Sequence, residues 1–257
     1  MNTQKSFLGH DRPLITAMVQ ARTPARIKEL IDRARLKGAD AFGMQFCQLE
    51  TEFRNTETYR TLFEYAGDEP VYVTNYRAVY NKGKTDDELA REMLEIASCG
   101  KVLCDVMGDM FDQQPGELTD NPVAIQKQMA YIDQLHQTGA EVLMSSHVCK
   151  FTPPERVLEI ALAHQARGAD ICKIVVGAET PDEEIENLKM IEMLKRNLKI
   201  PFLFLSGGQS YLIRRIGGEI GCCMYLCVVE RDEISTVAQP LLDHVVTVTK
   251  LLADKER

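Results

Sequence analysis

Eight times along this chain a short apolar run gives way to an amphipathic stretch, and that alternation limits the fold more than any other feature. The runs are residues 14–19 (LITAMV), 41–47, 70–76, 101–107, 140–147, 171–176, 200–206 and 222–228. The first unit shows how the helices are read. Thr23-Pro24 is an N-cap and N1 pair, Ile27, Leu30, Ile31 and Ala34 recur at helical spacing, and Lys37-Gly38 closes the segment. Further helices are expected near 56–66, 86–97, 122–137, 154–167, 181–195, 209–217 and 236–253. Strands apolar on both faces belong to a parallel sheet covered by helices. Eight such units predict a closed (β/α)8 barrel, a TIM barrel, with residues 1–257 as one domain. The length of 257 residues, 45% of them hydrophobic, suits that fold. An open doubly wound sheet competes with it, but no glycine-rich phosphate fingerprint follows the first strand.

Charge and composition narrow the function. The formal net charge is −8 and no basic block stands out, so no nucleic-acid partner is expected. No apolar run approaches a membrane span, and MNTQKSFLGHDRP lacks the apolar region of a signal peptide, which points to a cytoplasmic protein without a membrane partner. The eight cysteines form no CxxC pair and read as small core residues in a reducing compartment. Cys47 and Cys149, near strand ends, are the places where a reactive thiol would sit. No HxH or HExxH spacing is present and no metal is expected; a metal assembled across strands would have only Asp105, Asp109 and His147 to draw on.

One apolar run carries a charge. In Ile171-Cys172-Lys173-Ile174-Val175-Val176, five of six residues are apolar and the sixth is a lysine. It snorkels or pairs with a carboxylate, or else it is a neutral amine kept for nucleophilic attack. In a barrel the active site lies at the C-terminal ends of the strands. His147, Ser206-Gly207-Gly208, Arg77, Asp105, the pair Arg214 and Arg215, Ser235 and Gln239 all fall at or just beyond such ends. A lysine and a histidine on adjacent strands, facing one mouth, make a Schiff-base arrangement with a proton carrier beside it.

The stretch AEVLMSSHVCKFTPPERVLEIALAHQARGADICKIVV resembles the type I 3-dehydroquinate dehydratase family, in which a strand ending in Ser-x-His-Asp-Phe leads to Thr-Pro, a helix and Gly-Ala-Asp-x-x-Lys-Ile. YLIRRIGGEIGCC resembles that family's Ser-Arg-x-x-Gly-x-x-x-Gly segment, and ISTVAQ its terminal Ser-Ala-Pro-Gly-Gln loop. The resemblance is specific over about 140–240 and weaker over 14–110. It implies a lyase of shikimate- or quinate-type metabolism that eliminates water from a small anionic keto acid. It also implies a covalent lysine imine, no cofactor and a homodimer. Lys173 would form the imine and His147 would be the general acid–base. Arg215 would hold the carboxylate, Ser235 and Gln239 would close over it, and Arg77 would match the arginine after the third strand; Ser206, from its place at the end of the seventh strand, is expected to line the same mouth.

The chain also departs from the pattern. Where the family's second strand carries Glu-x-Arg-x-Asp, this chain has Gly43, Gln45 and Cys47. The fourth strand's Asp-x-Glu is Asp105-Val106-Met107, and the residue after the histidine is Val148. These losses lead to the expectation of a less polar keto acid than 3-dehydroquinate. FLSGGQS (204–210) is similar to the anion-binding stretch of class I aldolases, which makes C–C cleavage through the same imine the alternative chemistry. A keto-acid-binding barrel without turnover is the non-enzymatic alternative.

Overall fold

The apolar runs pair in parallel, each with its nearest neighbours in sequence. The computed structural model describes residues 5–253. The strands are β1 (Leu14–Met18), β2 (Ala41–Gln45), β3 (Val71–Thr74), β4 (Leu103–Met107), β5 (Glu141–His147), β6 (Ile171–Ala178), β7 (Phe202–Gly208) and β8 (Met224–Val228). They form one sheet in the order β7-β6-β5-β4-β3-β2-β1-β8. The two end strands approach one another, and the Cys223 amide donates to the Phe202 carbonyl at 2.9 Å across the seam. The result is a nearly closed (β/α)8 barrel. The helices α1 (Pro24–Leu36), α2 (Thr56–Ala66), α3 (Asp86–Ala97), α4 (Pro122–Gln137), α5 (Pro154–Ala166), α6 (Pro181–Asn197), α7 (Ile213–Ile220) and α8 (Leu242–Ala253) follow the strands in turn. Thr23 caps α1 as its Oγ1 accepts from the Arg26 amide, and Thr85 and Glu88 form a capping box on α3.

Side chains alternate across each strand. Leu103 and Asp105, Leu143 and Ser145, Ile171 and Lys173 point into the barrel; Cys104, Val142 and Cys172 face the helices. The last two helices start later than the spacing predicts. Gln209 still donates its amide to the Ala178 carbonyl at 2.8 Å, which delays α7 to Ile213. Residues 229–241 form a loop instead of the start of α8. The Asp232 carboxylate accepts from the Ile234 and Ser235 amides in a local turn, and Pro240 lacks the N–H a helix interior needs. Among the described residues no helix is long and apolar enough to cross a membrane.

Candidate active site

The register of β5 and β6 sets Ser145 beside Lys173. His147 lies two residues on from Ser145, on the same face. Lys173 and His147 consequently line one cavity at the C-terminal mouth, together with Arg214 and Gln239.

Lys173 is 4% exposed, yet its surroundings are not apolar. Nζ donates to Tyr76 Oη at 2.8 Å, to Tyr72 Oη at 3.1 Å and to Asp105 Oδ2 at 3.1 Å. Both tyrosine hydroxyls donate to that same Oδ2, Tyr76 at 2.5 Å, while Ser145 Oγ donates to Oδ1 at 2.5 Å. Burial pushes the Asp105 carboxyl up, but the charges of Lys173 and His147 outweigh it and hold the group below the usual range. Burial and the Asp105 charge push both phenols up, so they remain neutral donors. The apolar setting expected for the lysine is therefore corrected. Its own strand is apolar, but β3 and β4 surround the ammonium with oxygen.

His147 is held from the other side. Its Nδ1 lies 2.6 Å from Glu117 Oε2, and the same oxygen accepts the His147 amide at 3.1 Å. A proton on Nδ1 facing the carboxylate leaves Nε2 as the basic nitrogen. Glu117 sits in the β4–α4 connection with a left-handed φ of 51°, a conformation that costs a non-glycine residue about 1–3 kcal/mol. The connection keeps that geometry because Ser146 Oγ donates to the Glu117 carbonyl at 2.6 Å.

Of the expected substrate-binding residues, Gln239 lines the cavity and four do not. Arg215 turns away on α7, donating to the Tyr211 carbonyl at 2.9 Å. Its neighbour Arg214 lies at the cavity, since one residue along a helix rotates the side chain by about 100°. Arg214 is 8% exposed, and Nε donates to the Ser206 carbonyl at 2.6 Å. Burial pulls its guanidinium down to about 10, so it stays charged at neutral pH, and among the described residues no carboxylate pairs with it. Arg77 is clamped between Asp86, at 2.7 Å, and Asp109, at 2.8 Å. Ser206 faces the helices, where its Oγ accepts from Asn187 Nδ2 at 3.1 Å. Ser235 is engaged with Asp232 in the loop, and the adjacent Thr236 reaches the cavity instead.

Sequence reasoning did not select Glu117, Tyr72 or Tyr76. The two tyrosines had a signal, because residues 72, 74 and 76 share the inward face of an extended run. Glu117 had none, lying in an aperiodic connection. Gln20, Gln45 and Thr74 also line the mouth. The lost acidic positions are filled in identifiable ways. A Cβ on Gly43 would lie 2.2 Å from Met18 Sδ and 3.3 Å from the Tyr72 ring, so those two side chains occupy the space. Met107 packs in the core.

Cys47 is buried and its thiol is pushed up by burial; Cys149 is exposed as a residue, but its thiol is half covered, and that desolvation together with the Glu117 charge pushes it up as well. Neither environment favours a thiolate. The aldolase-like stretch lies among carboxylates. Ser210 Oγ donates to Glu184 at 2.6 Å, and a Cβ on Gly208 would meet Glu179 Oε1 at 2.6 Å, a placement that disfavours phosphate. Among the described residues no group of three or more His, Cys, Asp or Glu is arranged to share a metal ion.

Comparison with known proteins bears on the whole chain. The 3-dehydroquinate dehydratase of Geobacillus thermodenitrificans is 24% identical over 247 residues, covering 90% of this chain and 88% of that protein. The crystal structure of 3-dehydroquinate dehydratase from Geobacillus kaustophilus superposes with a TM-score of 0.79 at 20% identity, covering 100% of both chains. The type I enzyme from Clostridium difficile, solved with covalently modified comenic acid, gives 0.78 at 20% identity, covering 95% of this chain and 94% of that one. At such identities the structures establish the fold. The type I 3-dehydroquinase family profile matches residues 15–255, and the chain belongs to that family.

Proposed function

We propose that this protein is a Schiff-base hydro-lyase acting on a small hydroxylated keto acid of the 3-dehydroquinate kind. One observation carries the reading. A lysine amine and a carboxylate-paired histidine face a single cavity that also holds a buried guanidinium, with which no carboxylate pairs among the described residues.

The chemistry follows from the groups. Lys173 adds to the ketone and expels water to give a protonated imine, which withdraws electrons from the adjacent C–H. Asp105, beside Nζ, favours the positive nitrogen. His147 Nε2 takes the α-proton, and Glu117 stabilises the resulting imidazolium. The enamine then expels the β-hydroxyl, which receives the proton back from His147. Hydrolysis of the product imine frees the lysine. The imine is itself the electron sink, so the sequence of steps calls on no metal or organic cofactor. Arg214 is the residue suited to the substrate carboxylate.

The wall also speaks to substrate polarity. Gln20 Oε1, Thr74 Oγ1 and Gln239 Oε1 are buried without a hydrogen-bond partner among the described residues. Buried polar atoms of this kind are normally satisfied, and substrate hydroxyls would satisfy them. This favours a hydroxylated acid over the less polar one that the lost charges alone suggest. The relatives named 3-dehydroquinate dehydratase point the same way. The reading treats the chain as one domain acting as a cytoplasmic homodimer.

Borohydride reduction in the presence of 3-dehydroquinate, followed by intact mass and peptide mapping, tests the reading. The expected result is one adduct, on Lys173, and a dehydrated product with an unbroken carbon skeleton. A folded protein that traps no ketone would overturn it in favour of a binding barrel, and two carbon fragments would favour an aldolase.

A further inference from the structure

The three oxygens around Lys173 pose a problem for the chemistry just described. An ammonium has three N–H donors and no lone pair, and here each donor has an acceptor: Tyr76 Oη, Tyr72 Oη and Asp105 Oδ2. Such a group is well held and cannot attack a carbonyl until one proton leaves. His147, the obvious base of the site, contacts Tyr76 edge to face, with ring centroids 5.6 Å apart. No hydrogen bond joins His147 to Lys173 among the described residues. The shortest contact from Nζ is to Tyr76, and the Tyr76 hydroxyl passes directly to Asp105 at 2.5 Å.

We propose that Tyr76 is a catalytic proton carrier, relaying a proton from Lys173 to Asp105 so that the amine can attack, and returning it when the carbinolamine loses water. This rests on the Schiff-base reading and adds to it a second proton path, separate from His147.

The steps balance. At rest the pair is an ammonium and a carboxylate. A proton moves from Nζ to Tyr76 Oη as the tyrosine's own proton moves to Asp105 Oδ2, leaving an amine, an intact phenol and a carboxylic acid. The amine attacks the ketone carbon, the C–N bond forms, and one proton shifts from nitrogen to the former carbonyl oxygen. Asp105 then returns its proton through Tyr76 to that hydroxyl. Water leaves, and the products are a protonated imine and the original carboxylate. The phenol never needs to ionise, which suits its buried setting beside Asp105. Tyr72 and the direct contact from Nζ to Asp105 Oδ2 offer parallel routes, each at 3.1 Å and so longer than the 2.8 Å contact to Tyr76.

The test reads imine formation alone. Charged and titratable groups facing Lys173 are Asp105 from β4, Tyr72 and Tyr76 from the β3 side, His147 from β5 with Glu117 behind it, and Arg214 from α7. Rapid-quench borohydride trapping with 3-dehydroquinate is compared between the unaltered enzyme and Tyr76→Phe across pH. The variant is expected to trap about 100-fold more slowly, with a rate that climbs from roughly pH 6 to 9 as solvent replaces the relay. Tyr72→Phe is expected to slow trapping by a smaller factor. Trapping by Tyr76→Phe at the unaltered rate and pH profile would overturn the relay while leaving the Schiff base intact. No trapping by the unaltered enzyme would instead remove the Schiff-base reading. A proton inventory on the unaltered enzyme, in mixtures of light and heavy water, keeps the idea testable if the variant misfolds. A bowed dependence of the trapping rate is expected for two protons in flight, and a linear one would overturn the proposal.

Discussion

Lys173 and His147 stand on adjacent strands of one barrel and are held in opposite ways. The lysine's partners come from the sheet or its immediate extension: Tyr72 in β3, Asp105 in β4, and Tyr76 two residues past β3. Their positions follow from strand register. The histidine's partner comes from a connection, on a residue with left-handed backbone. A strand-borne carboxylate needs nothing further to place it, whereas a loop-borne one does. The supports for Glu117 are visible beneath it. Arg167 donates to the Gly108 carbonyl at 2.8 Å and the Thr119 carbonyl at 2.5 Å, and Gln128 donates to the Gly108 and Met110 carbonyls at 3.0 and 2.8 Å. The lesson is that a loop can supply the carboxylate for a strand-borne histidine, provided the helix layer pins that loop.

The comparison breaks most sharply on the lysine side. Asp105→Asn keeps the shape but removes the charge and one strong acceptor, leaving a buried ammonium beside two phenols. Breaking a buried pair by removing one partner costs about 3–5 kcal/mol, and urea unfolding at neutral pH should show a loss of that order. A loss under 1 kcal/mol would mean that the tyrosines alone suffice to hold the lysine.

On the histidine side the effect should be chemical. Glu117→Gln preserves a carbonyl oxygen for Nδ1–H but removes the charge that favours the imidazolium. Turnover should fall about 10²-fold, while the rate of borohydride trapping on Lys173 stays the same. That split separates the two halves of the site. An equal fall in both rates would mean that the loop supports the whole mouth and that the division drawn between the halves is wrong.

What the sequence made readable follows the same line. Strand and helix alternation set out the barrel, and the alternation within β5 and β6 brought Lys173 and His147 to one mouth. Arg214 and Arg215 are not separable in the sequence, because adjacent arginines differ only in helical phase, which depends on where α7 begins. That start depends in turn on a Gln209 contact with β6 that no local pattern reveals. Ser206 lies near the end of β7 and Arg77 just beyond β3, yet strand parity turns one toward α6 and a pair of aspartates engages the other. Glu117 was invisible because nothing periodic marks a connection. Its position depends on long-range contacts with α4, α5 and β5.

A graded effect, modest at each step of pH, tests those contacts. Ser146 Oγ gives its proton to the Glu117 carbonyl, so His164 Nε2, 2.9 Å away, must donate to Ser146. His164 Nδ1 then accepts from the Cys172 thiol at 3.4 Å, and the ring is neutral with one tautomer. Burial, with a lesser push from Arg167, lowers its pKa to about 3. The unfolded chain, with an ordinary histidine near 6.5, binds a proton that the native ring refuses. Stability should therefore decline as pH drops below about 6.5, by up to about 1.4 kcal/mol per pH unit from this residue, and level off near 3. Urea unfolding at stepped pH measures the slope, and His164→Gln should flatten it. Because the ring touches the support of the loop and not the lysine cluster, amide protection in residues 108–121, taken relative to the intrinsic exchange rate at each pH, should fall first on acidification. Exchange in β3 and β4 should lag. Simultaneous loosening of both would mean that the loop and the sheet form one cooperative unit, and that Glu117 is held as firmly as Asp105.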